Sequence, residues 1–227
     1  GQWSSHQHVL IHQARIYDNE PGAICNNCSG KHSGFICTAA HMGLDPKGYI
    51  EADHPVMANV KAALEDVTGA AHMEDQCGRD GCSIPTYAVP VSAMAHGFAK
   101  MATGNGLAPV RAKAATQILN SCMNKPFYMS GTKRFCNTAM EIENGRLFCK
   151  TGAEGVFCGA IPELGFGIAI KSDDGATRAA EAIMAATLAR LFSASDPLYE
   201  PLSSLAGYPV TNRNHIVVGE LRTSLPV

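Results

Sequence analysis

Hydrophobic positions recur with a helical period through much of the first two thirds of the chain. This spacing predicts four helices, at Ser5 to Tyr17, Cys28 to His41, Val91 to Met101 and Val110 to Cys122. Asn26 and Asn27 are residue types that cap a helix beginning at Cys28, and Gly43 is a residue type that ends one. The first half of the chain is therefore expected to be mainly helical.

A fifth helix is predicted from its start and stop signals. Asp53-His54-Pro55 combines a capping residue with a proline in the first turn, and Gly69 marks the end. Between them Val56, Val60, Leu64 and Val67 are expected to share one apolar face. The segment from Asp80 to Tyr87 is expected to be a loop.

The pattern changes after Arg134, where short apolar runs alternate with turn residues. Glu143-Asn144-Gly145-Arg146 is typical of a turn. The sequence then predicts antiparallel strands at Leu147 to Thr151, Val156 to Ala160 and Gly165 to Lys171, an Ala-rich helix from Asp173-Asp174-Gly175 to about Phe192, and a last strand at Asn214 to Leu221. Helices, strands, helix and strand in this order predict an α+β fold with an antiparallel sheet flanked by helices.

Length and charge limit the class of protein. The chain has 227 residues, 46% of them hydrophobic, and nothing in its middle reads as a linker, so residues 1–227 are expected to form a single domain. The formal net charge is −2 without a basic cluster, which argues against nucleic acid and anionic membranes as partners. No apolar run is long enough to span a bilayer.

Nine cysteines are present, and several lie in apolar runs, such as Cys37 in Phe35-Ile36-Cys37-Thr38. Buried cysteine commonly acts as a small hydrophobe. The odd count and this placement predict reduced thiols rather than a disulfide framework. They also predict a cytoplasmic location.

Two short polar segments carry candidate chemistry. Cys28 and Lys31 share a helix face, and a thiol near a helix N-terminus is a better nucleophile or ligand. His32, next to Lys31, is a candidate for a residue that hydrogen-bonds to the ligands of such a site. Asp80-Gly81-Cys82 offers a second thiol with a carboxylate. If the segments meet, two thiols, one amine and a water would make a zinc site with an open position. The alternative for Cys28 and Lys31 is a buried cysteine beside an exposed lysine. The alternative for Asp80-Gly81-Cys82 is an ordinary turn.

Lys150-Thr151-Gly152 follows a predicted strand and matches a K-T-G signature of penicillin-binding proteins and β-lactamases. In such proteins the lysine faces a nucleophilic serine, and the strand offers backbone groups to the substrate. The companion S-x-x-K signature has one literal match, Ser130 to Lys133. Its Gly/Thr/Lys/Arg setting is that of a loop, so Ser130 is not expected to be catalytic.

Together these motifs resemble the L-asparaginase II family of rhizobial type. The resemblance rests on Asn26 to Gly34, Asp53 to Val56, Asp80 to Thr86, Gly131 to Phe135, Lys150 to Gly155 and Pro162 to Ala169, in the order in which the family has them. An ordered set that extends over nearly the whole chain is far more specific than any one motif.

The resemblance implies a fold like that of serine β-lactamases and glutaminases, and hydrolysis of L-asparagine to L-aspartate and ammonia. It implies zinc bound by Cys28, Lys31 and Cys82 with water. Asp80 matches an aspartate beside the metal, and Lys150 matches a lysine that pairs with an active-site serine. We add His32 and Gly152 as expected substrate-binding residues, and a homodimer as the expected assembly.

In this family the nucleophilic serine belongs to an N-terminal S-x-x-K element. Gly1-Gln2-Trp3 resembles a later family segment, so the chain is expected to correspond to the C-terminal two thirds and to be truncated at its N-terminus. The chain alone is then expected to hold zinc but to turn over poorly. Two alternatives stay open: a non-catalytic zinc-holding remnant, and a β-lactamase-like or peptidase-like serine hydrolase.

Overall fold

Helices and short antiparallel strands make up the chain in a computed structural model, which describes residues 22–131, 133–143 and 145–224. The predicted helix at Ser5 to Tyr17 lies outside these residues, as does Asn144 of the predicted turn. The described residues form eight α-helices and seven strands, and the strands pair in three antiparallel sheets. The predicted α+β class is confirmed.

The chain divides into two compact units. Unit 1 contains the described part of Gly1–Asp66 together with Ala70–Val89, and unit 2 contains Val67–Gly69 and the described part of Pro90–Val227. Each unit is described by itself below. The single-domain organisation stays a prediction.

Unit 1 is built from two helices and a hairpin. Its helices are α1 (Ser29–His41) and α2 (Pro55–Thr68), with the last two residues of α2 grouped in unit 2, and its strands are β1 (Cys77–Arg79) and β2 (Pro85–Tyr87). Short 3-10 turns lie at Ala23–Cys25 and Glu74–Gln76. Both helices confirm the predictions closely. The predicted loop at Asp80 to Tyr87 is wrong for Pro85–Tyr87, because three-residue strands are too short to display an alternating pattern.

The ends of α1 and α2 show why these segments stop where they do. Asn26 Oδ1 accepts the Cys28 N–H at 2.8 Å just ahead of α1. Gly43 and Gly69 follow the two helices with φ of 67° and 70°, a conformation that favours glycine. The apolar face predicted for α2 is only partly buried: Val56 is fully buried, but Leu64 is 41% exposed.

Unit 2 contains the larger sheet and most of the helices. The helices are α3 (Val91–Thr103), α4 (Pro109–Asn124), α5 (Pro126–Ser130), α6 (Phe135–Glu143), α7 (Thr177–Leu191) and α8 (Tyr199–Leu205). The strands are β3 (Phe148–Thr151), β4 (Val156–Ile161), β5 (Phe166–Lys171), β6 (Tyr208–Thr211) and β7 (Val217–Leu221), and a 3-10 turn lies at Pro162–Leu164. The predictions for α3, α4 and β3 to β5 are confirmed within about two residues.

Helices cover both faces of the antiparallel sheet β3-β4-β5. On one face, Phe98 of α3 stacks on Phe148 with ring centroids 5.8 Å apart. On the other, Met184 of α7 lies against Gly159, and Phe135 of α6 meets the Phe157 ring edge-on. The core around this sheet includes the fully buried Phe157, Met140, Leu147, Ile161, Met184, Leu188 and Leu202. The sheet flanked by helices is thus observed as expected.

Strand β5 and helix α3 approach unusually closely at one glycine. A Cβ atom on Gly167 would lie 1.9 Å from the Ala95 carbonyl oxygen and 2.4 Å from the Ala99 nitrogen. Only a residue without a side chain fits there, so Gly167 sets how closely the helix packs on the strand.

Several elements of unit 2 differ from the sequence predictions. Helix α7 begins at Thr177 rather than near Asp173, because the Asp174 carboxylate accepts the Ala176 N–H at 2.8 Å and holds the preceding residues in a turn. The last strand begins at Val217, after a turn at which His215 has a φ of 62°. Helices α5, α6 and α8 and strand β6 carry no pattern that predicted them. No helix of the described residues is long and apolar enough to cross a membrane.

Candidate functional site

Four predicted site residues of unit 1 come together, although they belong to two distant segments. Cys28 immediately precedes α1, Lys31 lies one turn further on, and Asp80 and Cys82 lie between β1 and β2. The Cys82 thiol donates to Asp80 Oδ2 at 3.0 Å, and Lys31 Nζ lies 3.5 Å from the same oxygen. The Cys28 and Lys31 side chains each form a hydrogen bond with Cys82. We call Cys28, Lys31, Asp80 and Cys82 the thiol–lysine cluster.

A tight turn presents Asp80 and Cys82 to helix α1. The Asp80 N–H donates to the Ile84 carbonyl at 2.9 Å, and the Ser83 N–H donates to the Asp80 carbonyl at 2.7 Å. Ser83 has a φ of 79°, which is uncommon for a residue with a side chain. Asp80 Oδ1 accepts the Gly81 N–H at 2.8 Å, so its Oδ2 is left for Cys82 and Lys31.

Electrostatic coupling within the cluster is strong. Burial raises the pKa of the Cys28 thiol; Lys31 lowers it in part, and Cys82 and Asp80 raise it further. For Lys31, burial would lower the pKa, but the hydrogen bond to Cys82 and the electrostatic effects of Cys28, Cys82 and Asp80 raise it on balance. The hydrogen bond from Cys82 lowers the pKa of Asp80. Without a metal, Lys31 is therefore a cation that pairs with the Asp80 carboxylate beside two thiols.

The donor atoms suit zinc better than a hard cation. Two sulfur atoms and one amine nitrogen are ligands that zinc accepts, and water can complete a tetrahedron. The Lys31 and Asp80 side chains are 39% and 40% exposed, so water reaches the cluster. Binding would release the protons of both thiols and of Lys31. Among the described residues no three His, Cys, Asp or Glu side chains are grouped to hold a metal ion, and zinc binding by Cys28, Lys31 and Cys82 stays a prediction.

His32 lies next to the cluster in the chain, and its ring has a partner of its own. His32 Nδ1 is 2.6 Å from the Tyr49 hydroxyl, and the two rings meet edge-on with Phe35 beside them. No sequence signal indicated Tyr49, because 17 residues separate it from His32 and no short motif joins them. A substrate-binding role for His32 stays a prediction.

Lys150 lies on β3 in unit 2, half-buried, opposite Cys158 of β4. Its Nζ donates to the Thr151 carbonyl at 2.6 Å, and its charge acts on Cys122, Cys136 and Cys158. The Gly152 N–H donates to the Val156 carbonyl at 2.7 Å, so this donor is used within the turn between β3 and β4. The roles of Lys150 and Gly152 stay predictions.

Ser130 is the last residue of α5, and its Oγ donates to the Pro126 carbonyl at 3.3 Å. This hydroxyl is bonded within its own helix, so the loop expected around Ser130 is wrong at this residue, and its non-catalytic role stays a prediction. Two surface hollows of unit 2, of about 470 and 320 Å³, border α4 and the start of α5 and contain none of the predicted site residues.

The described cysteines are free as expected, but their burial differs in part from the expectation. The eight cysteines whose side chains the structure describes are all free, but only Cys136, Cys149 and Cys158 are buried. Cys37 is exposed, so its prediction as a buried hydrophobe is wrong; it lies on the outer side of α1 because that helix buries only Ala39. Cys136 and Cys149 contact each other, which no sequence motif indicated.

The sequence as a whole matches a known protein family. The profile of the L-asparaginase II family matches residues 2–223. The chain belongs to the L-asparaginase II family, and the resemblance read from the motifs is confirmed. Membership indicates an asparagine amidohydrolase-like function with a small-molecule substrate. The match does not support the finer statement that the chain corresponds only to the C-terminal two thirds of the family. No curated protein is significantly similar to the chain.

Proposed function

We propose that the protein takes part in hydrolysis of the side-chain amide of L-asparagine, giving L-aspartate and ammonia through a serine acyl-enzyme. The family match over residues 2–223 carries this proposal. The convergence of Cys28, Lys31 and Cys82 around Asp80 supports it further, because the resemblance assigns these residues to the family's metal site.

Unit 2 contributes Lys150 to the proposed reaction. The lysine would take the proton of the attacking serine hydroxyl and return it to the leaving ammonia. Its contact with the Thr151 carbonyl holds Nζ near the strand end. The nucleophile itself is assigned to the family's S-x-x-K element, since Ser130 is bonded to Pro126.

Unit 1 contributes the metal site. Cys28, Lys31 and Cys82 would hold zinc, and Asp80 would orient Lys31 and Cys82 from the side. Zinc bound there supplies a Lewis acid that polarises or orients a ligand oxygen. His32, held by Tyr49, is the proposed substrate-contacting group beside the metal site.

Two further properties belong to the proposal. A cytoplasmic location fits the free thiols of the described residues. A homodimer fits the exposed apolar side chains of the β6–β7 hairpin, where Ile216, Val217 and Val218 are 58%, 63% and 62% exposed. Light scattering of the purified protein tests the dimer.

The reaction is tested by ammonia release from L-asparagine, measured on the purified protein. Lys150→Ala should abolish the activity, whereas Lys171→Ala should retain it. Lys171 is the matched control, since it ends strand β5 and also donates to the next carbonyl.

Each outcome has a clear meaning. A zinc-loaded protein that releases no ammonia would replace the proposal with the non-catalytic alternative. Full activity in Lys150→Ala would remove Lys150 from the mechanism.

A further inference from the structure

Two buried thiols of unit 2 lie in contact with each other. Cys136 is the second residue of α6 and Cys149 the second residue of β3, and they are 1% and 0% exposed. Their side chains form a hydrogen bond, and Cys149 Sγ lies 4.0 Å from the Cys136 carbonyl oxygen. The thiol–lysine cluster belongs to unit 1 and shares no residue with this pair.

The surroundings of Cys136 favour its thiolate form. Strand β3 is an edge of its sheet, and the Thr151 N–H donates to Cys136 Sγ at 3.2 Å. The hydrogen bond from Cys149, this N–H and the charges of Lys150 and Arg134 lower the pKa of Cys136 to about 7, although burial opposes the shift.

The pKa values of two other thiols of unit 2 are raised instead of lowered. Burial raises the pKa of Cys158 to about 11, and burial also raises the pKa of Cys122. Because the thiolate is the reactive form, the lowered pKa favours reaction of Cys136 over Cys158 and Cys122 at neutral pH.

We propose that Cys136 and Cys149 form an oxidation site that a peroxide converts to a reversible disulfide. The Cys136 thiolate attacks one peroxide oxygen, the O–O bond breaks, and Cys136 becomes a sulfenic acid while the other oxygen leaves as water after taking up a proton. Cys149 sulfur then attacks Cys136 sulfur, the S–O bond breaks, and a second water leaves. Two thiols are oxidised by two electrons, and hydrogen peroxide is reduced to two waters.

The disulfide would join the first turn of α6 to the strand that carries Lys150. It would also remove the thiolate that accepts the Thr151 N–H and that lies within reach of the Lys150 charge. The inference does not depend on the proposed hydrolysis, because its test counts thiols and maps bonds between them.

Graded hydrogen peroxide treatment of the purified protein tests the pair. Remaining thiols are blocked with N-ethylmaleimide in denaturant, and peptides from a non-reducing digest are identified by mass spectrometry. We expect a peptide pair linked through Cys136 and Cys149 that dithiothreitol separates. A bond from Cys136 to any other cysteine, or no linked pair when Cys136 is already oxidised, would overturn the proposal.

Two variants sharpen the result. In Cys149→Ala, Cys136 should accumulate as a sulfenic acid that dimedone traps, and the linked peptide should be lost. Cys158→Ser is the matched control, since it removes a buried thiol of the neighbouring strand, and it should form the link at the wild-type rate. Equal dimedone labelling of Cys136 in wild type and Cys149→Ala would count against Cys149 as the resolving thiol.

The pH dependence of the first step gives an independent measurement that needs no variant. Arg134, Cys149 and Lys150 are the charged or titratable groups that act on Cys136. The rate of Cys136 loss should rise about tenfold per pH unit below pH 7 and level off above it, since it follows the thiolate fraction. A rate that keeps rising to pH 9 would contradict the proposal.

Discussion

Lys31 Nζ and Asp80 Oδ2 lie 3.5 Å apart, although one belongs to helix α1 and the other to the turn after β1. The same carboxylate oxygen accepts the Cys82 thiol at 3.0 Å. One carboxylate therefore orients two of the three proposed zinc ligands. A neighbour that orients ligands contributes to metal affinity without binding the metal itself.

Asp80→Asn tests this role. The amide keeps the size of the side chain but loses the charge that holds Lys31. Zinc affinity should fall by about 10- to 100-fold, the usual effect of losing an orienting partner. Competition with a zinc-binding dye measures it. Asp173→Asn removes an exposed carboxylate in unit 2 and should leave the affinity unchanged; an equal fall in both variants would show a general charge effect.

Zinc content itself tests the ligand assignment. Wild type should contain about one zinc per chain by elemental analysis, and Cys28→Ser and Cys82→Ser should lose most of it because a serine hydroxyl is a poor zinc ligand. Cys37→Ser is the matched control, an exposed cysteine on α1, and should keep the wild-type content. Equal content in all four proteins would remove the proposed site.

Lys31→Arg separates a ligand from an ion-pair partner. Arginine keeps the positive charge beside Asp80, but a guanidinium does not lose its proton in proteins and cannot donate a lone pair to zinc. If Lys31 is a ligand, the zinc content of Lys31→Arg should fall as far as that of Cys28→Ser. If the content stays at the wild-type level, the lysine only balances charge.

The sequence predicted the long helices and the three-stranded sheet because their signals are local. Pro55 and Gly69 bracket α2, and the apolar runs of β3 to β5 are separated by turn residues. Short elements lacked such signals: β1 and β2 have three residues each, and α5 has five. They are formed by their neighbours, as when β1 pairs with β2.

The candidate site, too, could be predicted only as far as its signals are local. The chemistry of Cys28, Lys31 and Cys82 could be read from residue types, but their meeting depends on the hairpin that carries Cys82. The Tyr49 partner of His32 and the contact between Cys136 and Cys149 are tertiary, so no periodicity encodes them.

Gly167→Ala tests the close contact between β5 and α3. The new methyl group would lie 1.9 Å from the Ala95 carbonyl oxygen, so helix or strand must move. Overpacking of this kind costs about 1–3 kcal/mol or more of unfolding free energy. Urea unfolding measures it. Gly219→Ala is the control, a strand glycine with open space around it, and should change stability by less than about 0.5 kcal/mol. Equal effects would refute the role of the contact.

Acid should weaken one ion-pair network of unit 2. Arg146 donates to both Asp196 oxygens, at 3.1 and 3.0 Å, and also to Glu163. The hydrogen bond from Arg146 lowers the pKa of Asp196, and the Leu198 N–H acts in the same direction. A carboxylate with a lowered folded-state pKa stabilises the fold above its unfolded value of about 3.9 and loses this contribution as pH falls through the folded value.

Asp196→Asn isolates that contribution, because the amide oxygen can still accept the Leu198 N–H at the start of α8. The melting temperature should be lower than that of wild type at pH 7, and the difference should shrink steadily as the pH is lowered below about 4. Circular dichroism melts at several pH values measure it, with Asp173→Asn as the control for a surface carboxylate. A difference that stays constant down to pH 2.5 would mean that Asp196 acts through packing rather than through its charge.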